Sequence, residues 1–228
     1  MKYYSQSNIK RIEKIIPHKP PLVKEVSTNF QANFFRGENS GFTLLEVMIV
    51  IVIMGVMAAI ATPNFFSLLD TIRVGGAAKN LASEMMLAKF RAISENHKYI
   101  VTFDVTGNSF SIYSDSDNDY DTIGLESNEI VKTVNIVADY PNVVYGYVTG
   151  TKGTSGNVIT ESVTFTSNPK RVVFKPDGTA NIPGSIYLIL SKDLAASKSG
   201  RMRAVTVIQT GRIKFWRYKG APSSKPWE

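Results

Sequence analysis

Asp115, Asp117, Asp119 and Asp121 alternate with Ser, Asn and Tyr, and Glu126 closes the run at its twelfth position. Side-chain oxygens at the first, third, fifth and twelfth places, with a backbone carbonyl at the seventh, are how a short loop wraps a calcium ion. Asp115, Asp117, Asp119 and Glu126 would be direct ligands, and the backbone of Asp121 would complete the set. The sixth place, where glycine makes the sharp turn of such loops, holds Tyr120. An acidic surface loop between two strands is the competing reading, and the residues leave both open.

A second constellation is cationic. Residues 201–228 carry seven basic side chains against the single acid Glu228, whereas residues 42–200 carry twelve basic and fifteen acidic ones. Arg212, Lys214 and Arg217 are interleaved with Phe215, Trp216 and Tyr218. Cations that neutralise phosphates beside aromatic faces that stack on bases make a nucleic-acid surface. Arg212, Lys214, Trp216 and Arg217 are the candidate DNA contacts. Four phosphate contacts would lower affinity roughly a hundredfold between about 50 and 200 mM salt. A last strand with alternating cations facing solvent, or a surface for an acidic partner subunit, is the alternative.

The third constellation is one carboxylate in apolar surroundings. From Phe42 to Ala61 only Thr43 and Glu46 interrupt a hydrophobic run, and twenty residues at the helical rise span about 30 Å, the thickness of a bilayer core. Glu46 there costs on the order of 3 kcal/mol at the bilayer centre unless it finds a partner. Residues 1–41 carry seven Lys or Arg against three Glu, which keeps that flank cytoplasmic and delivers the residues beyond Ala61 to the other side. Ala59-Ile60-Ala61 satisfies a conventional signal-peptidase site, with Thr62 as the resulting terminus. A simple anchor with Glu46 snorkelling to the interface is the remaining alternative.

The composition points away from an enzyme, with a Ser/His/Asp triad left as the alternative. His18 and His97 are the only histidines and there is no Cys, so thiol nucleophiles, disulfides and Cys-rich metal sites are excluded. No phosphate-binding loop, nucleophile elbow or histidine-based zinc spacing is present. Apart from calcium, no cofactor is expected.

The elements that must position these residues follow from periodicity. Phe65, Leu69 and Ile72, then Ala78, Leu81, Met85, Ala88 and Ala92 recur at helical spacing, so the helix that begins near Phe42 is predicted to reach about Asn96. Its Met and Phe residues are expected to form a seam against a β-domain, while Pro63 should kink or open it and Gly75-Gly76 should weaken it. From Tyr99 the period becomes two. Strands are predicted over residues 99–105, 109–113, 130–137, 143–148, 162–166, 171–174, 185–190, 204–209 and 213–218. Turn chemistry separates them at Thr106-Gly107-Asn108, Pro141-Asn142, Gly150 to Gly156, Pro176-Asp177-Gly178 and Gly211. A helix followed by antiparallel strands is an α+β architecture.

Gly41-Phe42-Thr43-Leu44-Leu45-Glu46-Val47-Met48 resembles the prepilin cleavage and methylation motif of type IV pilins and pseudopilins. Val173-Phe174-Lys175-Pro176-Asp177-Gly178, followed by Ile186 to Leu190, Ala204 to Gln209 and Gly211-Arg212, is similar to the GspH/FimT group of minor pseudopilins. The resemblance implies a pilin-like fold: a leader (1–41), a membrane and assembly helix (42–62), an amphipathic helical half (63–97) and a periplasmic antiparallel β-domain (98–228). It implies that prepilin peptidase cuts after Gly41 and methylates Phe42, and that Glu46 pairs with the new terminus of a neighbour and sets subunit register. The implied protein is a non-enzymatic tip or initiation subunit of a type II secretion pseudopilus or type IV pilus, anchored in the inner membrane. Its partners would be other pilins and, through the tip, a secretion substrate. Gly211-Arg212-Ile213-Lys214 also resembles the Gly-Arg-x-Arg signature of FimT-like pilins in DNA uptake, with Lys for the second Arg, which implies DNA binding in competence as the alternative.

Overall fold

The computed structural model describes residues 41–120, 124–220 and 226–228. The leader expected before Gly41, together with Asp121 and Lys225, lies outside them. The chain divides into two units, Met1–Ile49 and Val50–Glu228. In the first, Thr43 caps the helix α1 (Leu44–Glu95): its hydroxyl accepts the Glu46 N–H at 3.1 Å and its carbonyl accepts the Val47 N–H at 3.2 Å. A threonine side chain in this place satisfies an amide that has no partner inside the helix.

The helix is continuous from Leu44 to Glu95, so Pro63 does not open it. Gly76 has a packing reason to be there, because a Cβ would stand 3.0 Å from Cε1 of Tyr140. Asn96, at φ 58°, ends α1 in the left-handed conformation that terminates helices.

The second unit carries two four-stranded antiparallel sheets. The strands are β1 (Lys98–Asp104), β2 (Ser109–Asp115), β3 (Ile130–Asn135), β4 (Val143–Tyr145), β5 (Arg171–Phe174), β6 (Gly184–Leu190), β7 (Arg203–Val207) and β8 (Ile213–Arg217), with short helices α2 (Ile136–Asp139) and α3 (Ser191–Ala195). One sheet has the order β3-β2-β1-β5 and the other β4-β6-β7-β8. The β1–β2 hairpin reverses at Asn108, φ 50°, with Asp104 accepting the Thr106 and Gly107 N–H groups.

Val74, Ala77, Ala78, Leu81, Met85, Ala88 and Ala92 form the buried stripe of α1, packed with Phe103, Phe110, Phe165, Phe174, Leu188 and Leu190. The expected seam begins only at Val74. Phe65, Ile72, Met86 and Phe90 are exposed, so part of the Met and Phe set does not face the sheets. A second cluster joins Tyr187, Ile189, Met202, Tyr218 and Trp227. β6 is therefore covered on both faces, as its unbroken apolar run requires.

Several predicted strands change: that over 143–148 keeps only Val143–Tyr145, and that over 204–209 ends at Val207. The run over 130–137 stops at Asn135, whose side chain accepts the Ala138 N–H at 3.1 Å and caps α2. The run over 162–166 forms only the bridge Val163–Ile186. There the Thr164 hydroxyl takes the Ser185 N–H at 2.8 Å, a donor that a regular ladder would give to a carbonyl.

Candidate functional site: an exposed apolar helix start, an acidic loop and a basic strand

Around the helix start, Gly41 has nothing within 4 Å of where a Cβ would lie, and Phe42 is 81% exposed. Glu46 is exposed, in the third helical position. Thr43 and Glu46 thus form one half of a capping box, since the Glu46 N–H binds the Thr43 hydroxyl. Thr-x-x-Glu is visible in the sequence and signals this local role of position 46 independently of the carboxylate's need for a partner. The large apolar side chains from Leu44 to Ile60 are exposed along a helix long and apolar enough to cross a membrane.

The acidic loop begins where β2 ends. β2 delivers Asp115 with its side chain fully buried, and Asp117 and Asp119 follow on either side of Asn118. Asn118 takes the left-handed turn, φ 61°. The sharp reversal that a calcium loop assigns to Tyr120 is therefore made two residues earlier, by a residue type that tolerates it. The Tyr120 N–H instead donates to Asp115 Oδ1 at 3.2 Å, and the Tyr120 ring faces the Arg171 guanidinium at 5.3 Å.

The fourth carboxylate is Glu129, not Glu126. Glu126 precedes a single 3-10 turn, Ser127–Glu129, and its carbonyl accepts the Glu129 N–H at 3.3 Å. That turn swings Glu129 inward to 7% exposure. One carboxylate oxygen from each of Asp115, Asp117, Asp119 and Glu129 lies within 4.8 Å of the others. Burial is the first cause that pushes the Glu129 carboxyl above the usual range; the charges of Asp117, Asp115 and Asp119 add to it, and the Glu126 backbone opposes. Asp119 is pushed the same way, by desolvation and then by Asp117 and Glu126. Asp121 lies outside the described residues.

The basic strand does not present its four candidates together. Along β8, Ile213 and Phe215 pack against the main core and Trp216 joins the second cluster. Lys214 and Trp216 thus share one face and Arg217 lies on the other. Lys214 Nζ sits 4.6 Å from the Trp216 ring centre, and Trp216 donates to the Thr206 hydroxyl at 2.8 Å. Arg217 and Lys219 both pair with Glu228. Arg203 is buried and donates to the Met202 carbonyl at 2.9 Å. Arg201 binds Asp193 at 2.7 and 2.5 Å. Among the described residues, Arg212 and Lys214 have no acidic partner.

His97 is the one histidine beyond the expected leader. Its Nε2 lies 2.7 Å from Ser114 Oγ and 3.4 Å from Glu95 Oε2, while Nδ1 meets the Glu95 carbonyl at 3.1 Å. A hydrolytic triad needs the carboxylate on the nitrogen opposite the nucleophile. Here both sit on Nε2, so the triad order is not formed.

A family model described as the prokaryotic N-terminal methylation motif matches residues 36–62, and one described as type II transport protein GspH matches residues 77–211. The type IV major pilin protein PilA of Myxococcus xanthus is 40% identical over 65 residues, 28% of this chain and 29% of that protein, so the match spans less than a third of that relative. Two structures of the minor pseudopilin EpsH from the type 2 secretion system of Vibrio cholerae are similar at 10% and 12% identity. Their TM-scores are 0.41 and 0.43, over 64% and 66% of this chain and 97% of each of theirs. The type IV minor pilin FimU of Pseudomonas aeruginosa is similar at 13% identity and TM-score 0.38, over 68% of this chain and 92% of its own.

Proposed function

The chain belongs to the GspH family of type II transport proteins, and on that premise we propose that it is a minor pseudopilin, a tip or initiation subunit of a secretion pseudopilus or type IV pilus. Prepilin peptidase cuts between Gly41 and Phe42 and methylates Phe42. The chain is held in the inner membrane with the β-domain in the periplasm, and its partners are other pilins and, through the tip, a secreted substrate. It acts mechanically, without catalysis of its own.

The observation that carries this reading is the exposure of the helix from Phe42 to Ile60. A contiguous apolar surface of this size on a soluble domain would be an aggregation hazard, so lipid or neighbouring helices must cover it. Glu46 then needs a cationic partner in that apolar setting, which a freshly exposed amino terminus supplies.

Mass spectrometry of the amino terminus of protein taken from membranes tests the proposal. Methylated Phe42 is expected, and a terminus at Thr62 or an uncut leader overturns it.

DNA uptake is the second reading, favoured by one contact, the Lys214 ammonium over the Trp216 ring beside Arg212. With Arg217 on the opposite face and paired to Glu228, two cations rather than four are offered to phosphates. DNA retention should then fall only about tenfold between about 50 and 200 mM salt. Charge reversal at Arg212 and Lys214 should abolish retention while leaving the melting temperature unchanged; retention that survives the reversal removes this reading.

A further inference from the structure

Four carboxylates converge where β2 hands over to the turn before β3, and two of them are buried. Glu129 is only 7% exposed, and among the described residues neither of its oxygens makes a hydrogen bond, the Glu126 backbone lying near the carboxylate without bonding it. Asp115 Oδ2 and Asp119 Oδ1 are buried in the same condition. Among the described residues, the Lys98 ammonium lies 3.8 Å from Asp115 Oδ2. Among the described residues one ammonium faces four carboxylates, which leaves the cluster negative, and burying a carboxylate without a compensating partner is strongly unfavourable. An ordinary acidic surface loop has no reason to fold a glutamate inward against three aspartates.

We propose that Asp115, Asp117, Asp119 and Glu129 form a calcium site that closes the connection between β2 and β3. Ligand count and spacing point to the ion. Two ligands on opposite sides of a cation are separated by at most twice the ligand distance, about 4.8 Å for calcium and about 4.2 Å for magnesium. The four oxygens lie within 4.8 Å of one another, a spread a calcium sphere accommodates, and four carboxylates exceed the one or two through which magnesium is usually held. Only oxygen donors are present, as a hard cation demands, and the exposed side of Asp117 leaves room for water to complete six to eight ligands.

The site departs from the twelve-residue pattern in two linked ways. The left-handed turn moves from Tyr120 to Asn118, and the closing carboxylate moves from Glu126 to Glu129. Glu126 remains at the rim, where its charge acts on Asp119.

The full-length protein in detergent is melted in EGTA, in about 1 mM calcium, the range of extracellular calcium modules, and in magnesium at the same concentration. Calcium is expected to raise the melting temperature by several degrees and magnesium to do so much less. Glu129→Gln keeps the shape and removes the charge. It should abolish the calcium shift yet melt in EGTA at or above the wild-type temperature, because it relieves a buried unpaired carboxylate. Asp117→Asn, at an exposed position, should weaken half-saturation by roughly tenfold. Absence of any calcium shift overturns the proposal, as does a shift that survives Glu129→Gln or an equal response to magnesium. A shift lost in Glu126→Gln but kept in Glu129→Gln overturns the assignment of Glu129 as the closing ligand.

Discussion

Gly211 and Gly178 meet backbone to backbone: a Cβ on Gly211 would lie 2.0 Å from the Gly178 carbonyl oxygen. Both take left-handed φ, 71° and 78°, and the Gly211 carbonyl accepts the Lys89 ammonium of α1 at 3.0 Å. This corner is where the turn after β5, the β7–β8 turn and the helix are fastened to one another. Ala180 adds a bond from its N–H to the Gln209 carbonyl at 2.9 Å. Two turns can approach this closely only without side chains.

Gly211→Ala is therefore expected to destabilise the domain by about 3 kcal/mol or more, from left-handed strain plus a displaced carbonyl. Gly150→Ala is the control. Its φ is 80° and nothing lies within 4 Å of the added carbon, so it should cost only about 1 kcal/mol of strain. Denaturant unfolding of both variants measures the difference, and equal losses would refute the steric account.

Asp193, 2% exposed, depends on Arg201 for both of its oxygens. Arg201 also reaches Asp70 of α1 at 3.5 Å, and Lys192 pairs with the same Asp70. Arg201→Met leaves Asp193 buried without its guanidinium and should cost on the order of 2 kcal/mol, less than a fully buried pair because Arg201 keeps some solvent contact. Asp193→Asn in the Arg201→Met background should recover part of that loss. Strict additivity in the double-mutant cycle would show that the two do not act as a pair.

The sequence is legible where chemistry is local. Asn108, Asn142, Gly150, Gly156, Gly178 and Gly211 all fall at turns named from residue type, and all have positive φ. Ala78, Leu81, Met85, Ala88 and Ala92 are buried as their spacing requires. Phe65 and Ile72 obey the same spacing and are exposed, because periodicity identifies a face without saying how far along the helix anything covers it. The network of Asp70 and Arg201 joins residues 131 positions apart, for which no local signal exists. Glu129 escapes sequence reasoning for a related reason: counting positions assumes a fixed loop path, and one 3-10 turn rotates the next carboxylate into place. The separation of Lys214 from Arg217 does have a sequence signal, since strand alternation puts positions three apart on opposite faces.

The carboxy-terminal segment supplies a pH dependence. Trp227 is buried and donates to the Lys152 carbonyl at 2.8 Å, while Glu228 exchanges backbone bonds with Arg217 at 3.0 and 2.7 Å. Hydrogen bonds from Lys219 and then Arg217 hold the Glu228 carboxyl below its usual range. A depressed carboxyl contributes stability that is fully present above its unfolded pKa and is lost as pH falls through the folded value. Trp227 should therefore stay docked at neutral pH and loosen as pH drops below about 4. In Glu228→Gln this component should vanish and Trp227 should be more mobile already at neutral pH, read by hydrogen exchange of the Trp227, Glu228 and Arg217 amides. An unchanged acid profile in the variant would show that the carboxylate is not the latch.

On the proposed function Glu46 would have two separable roles, one local and one between subunits. Its N–H completes the Thr43 cap, a bond that any residue at position 46 can make, while its carboxylate is free to meet a neighbour's new amino terminus. Glu46→Gln preserves the shape and the cap, and glutamine is as acceptable as glutamate in a capping box. Thr43→Ala removes the cap, at about 1 kcal/mol of helix stability, and keeps the charge. If the carboxylate sets register, Glu46→Gln is cleaved and stays in the membrane but is excluded from fibres, whereas Thr43→Ala is incorporated. Quantifying both variants in sheared fibres against membrane fractions separates the roles. Normal incorporation of Glu46→Gln with loss of Thr43→Ala would reduce Glu46 to a helix-starting residue.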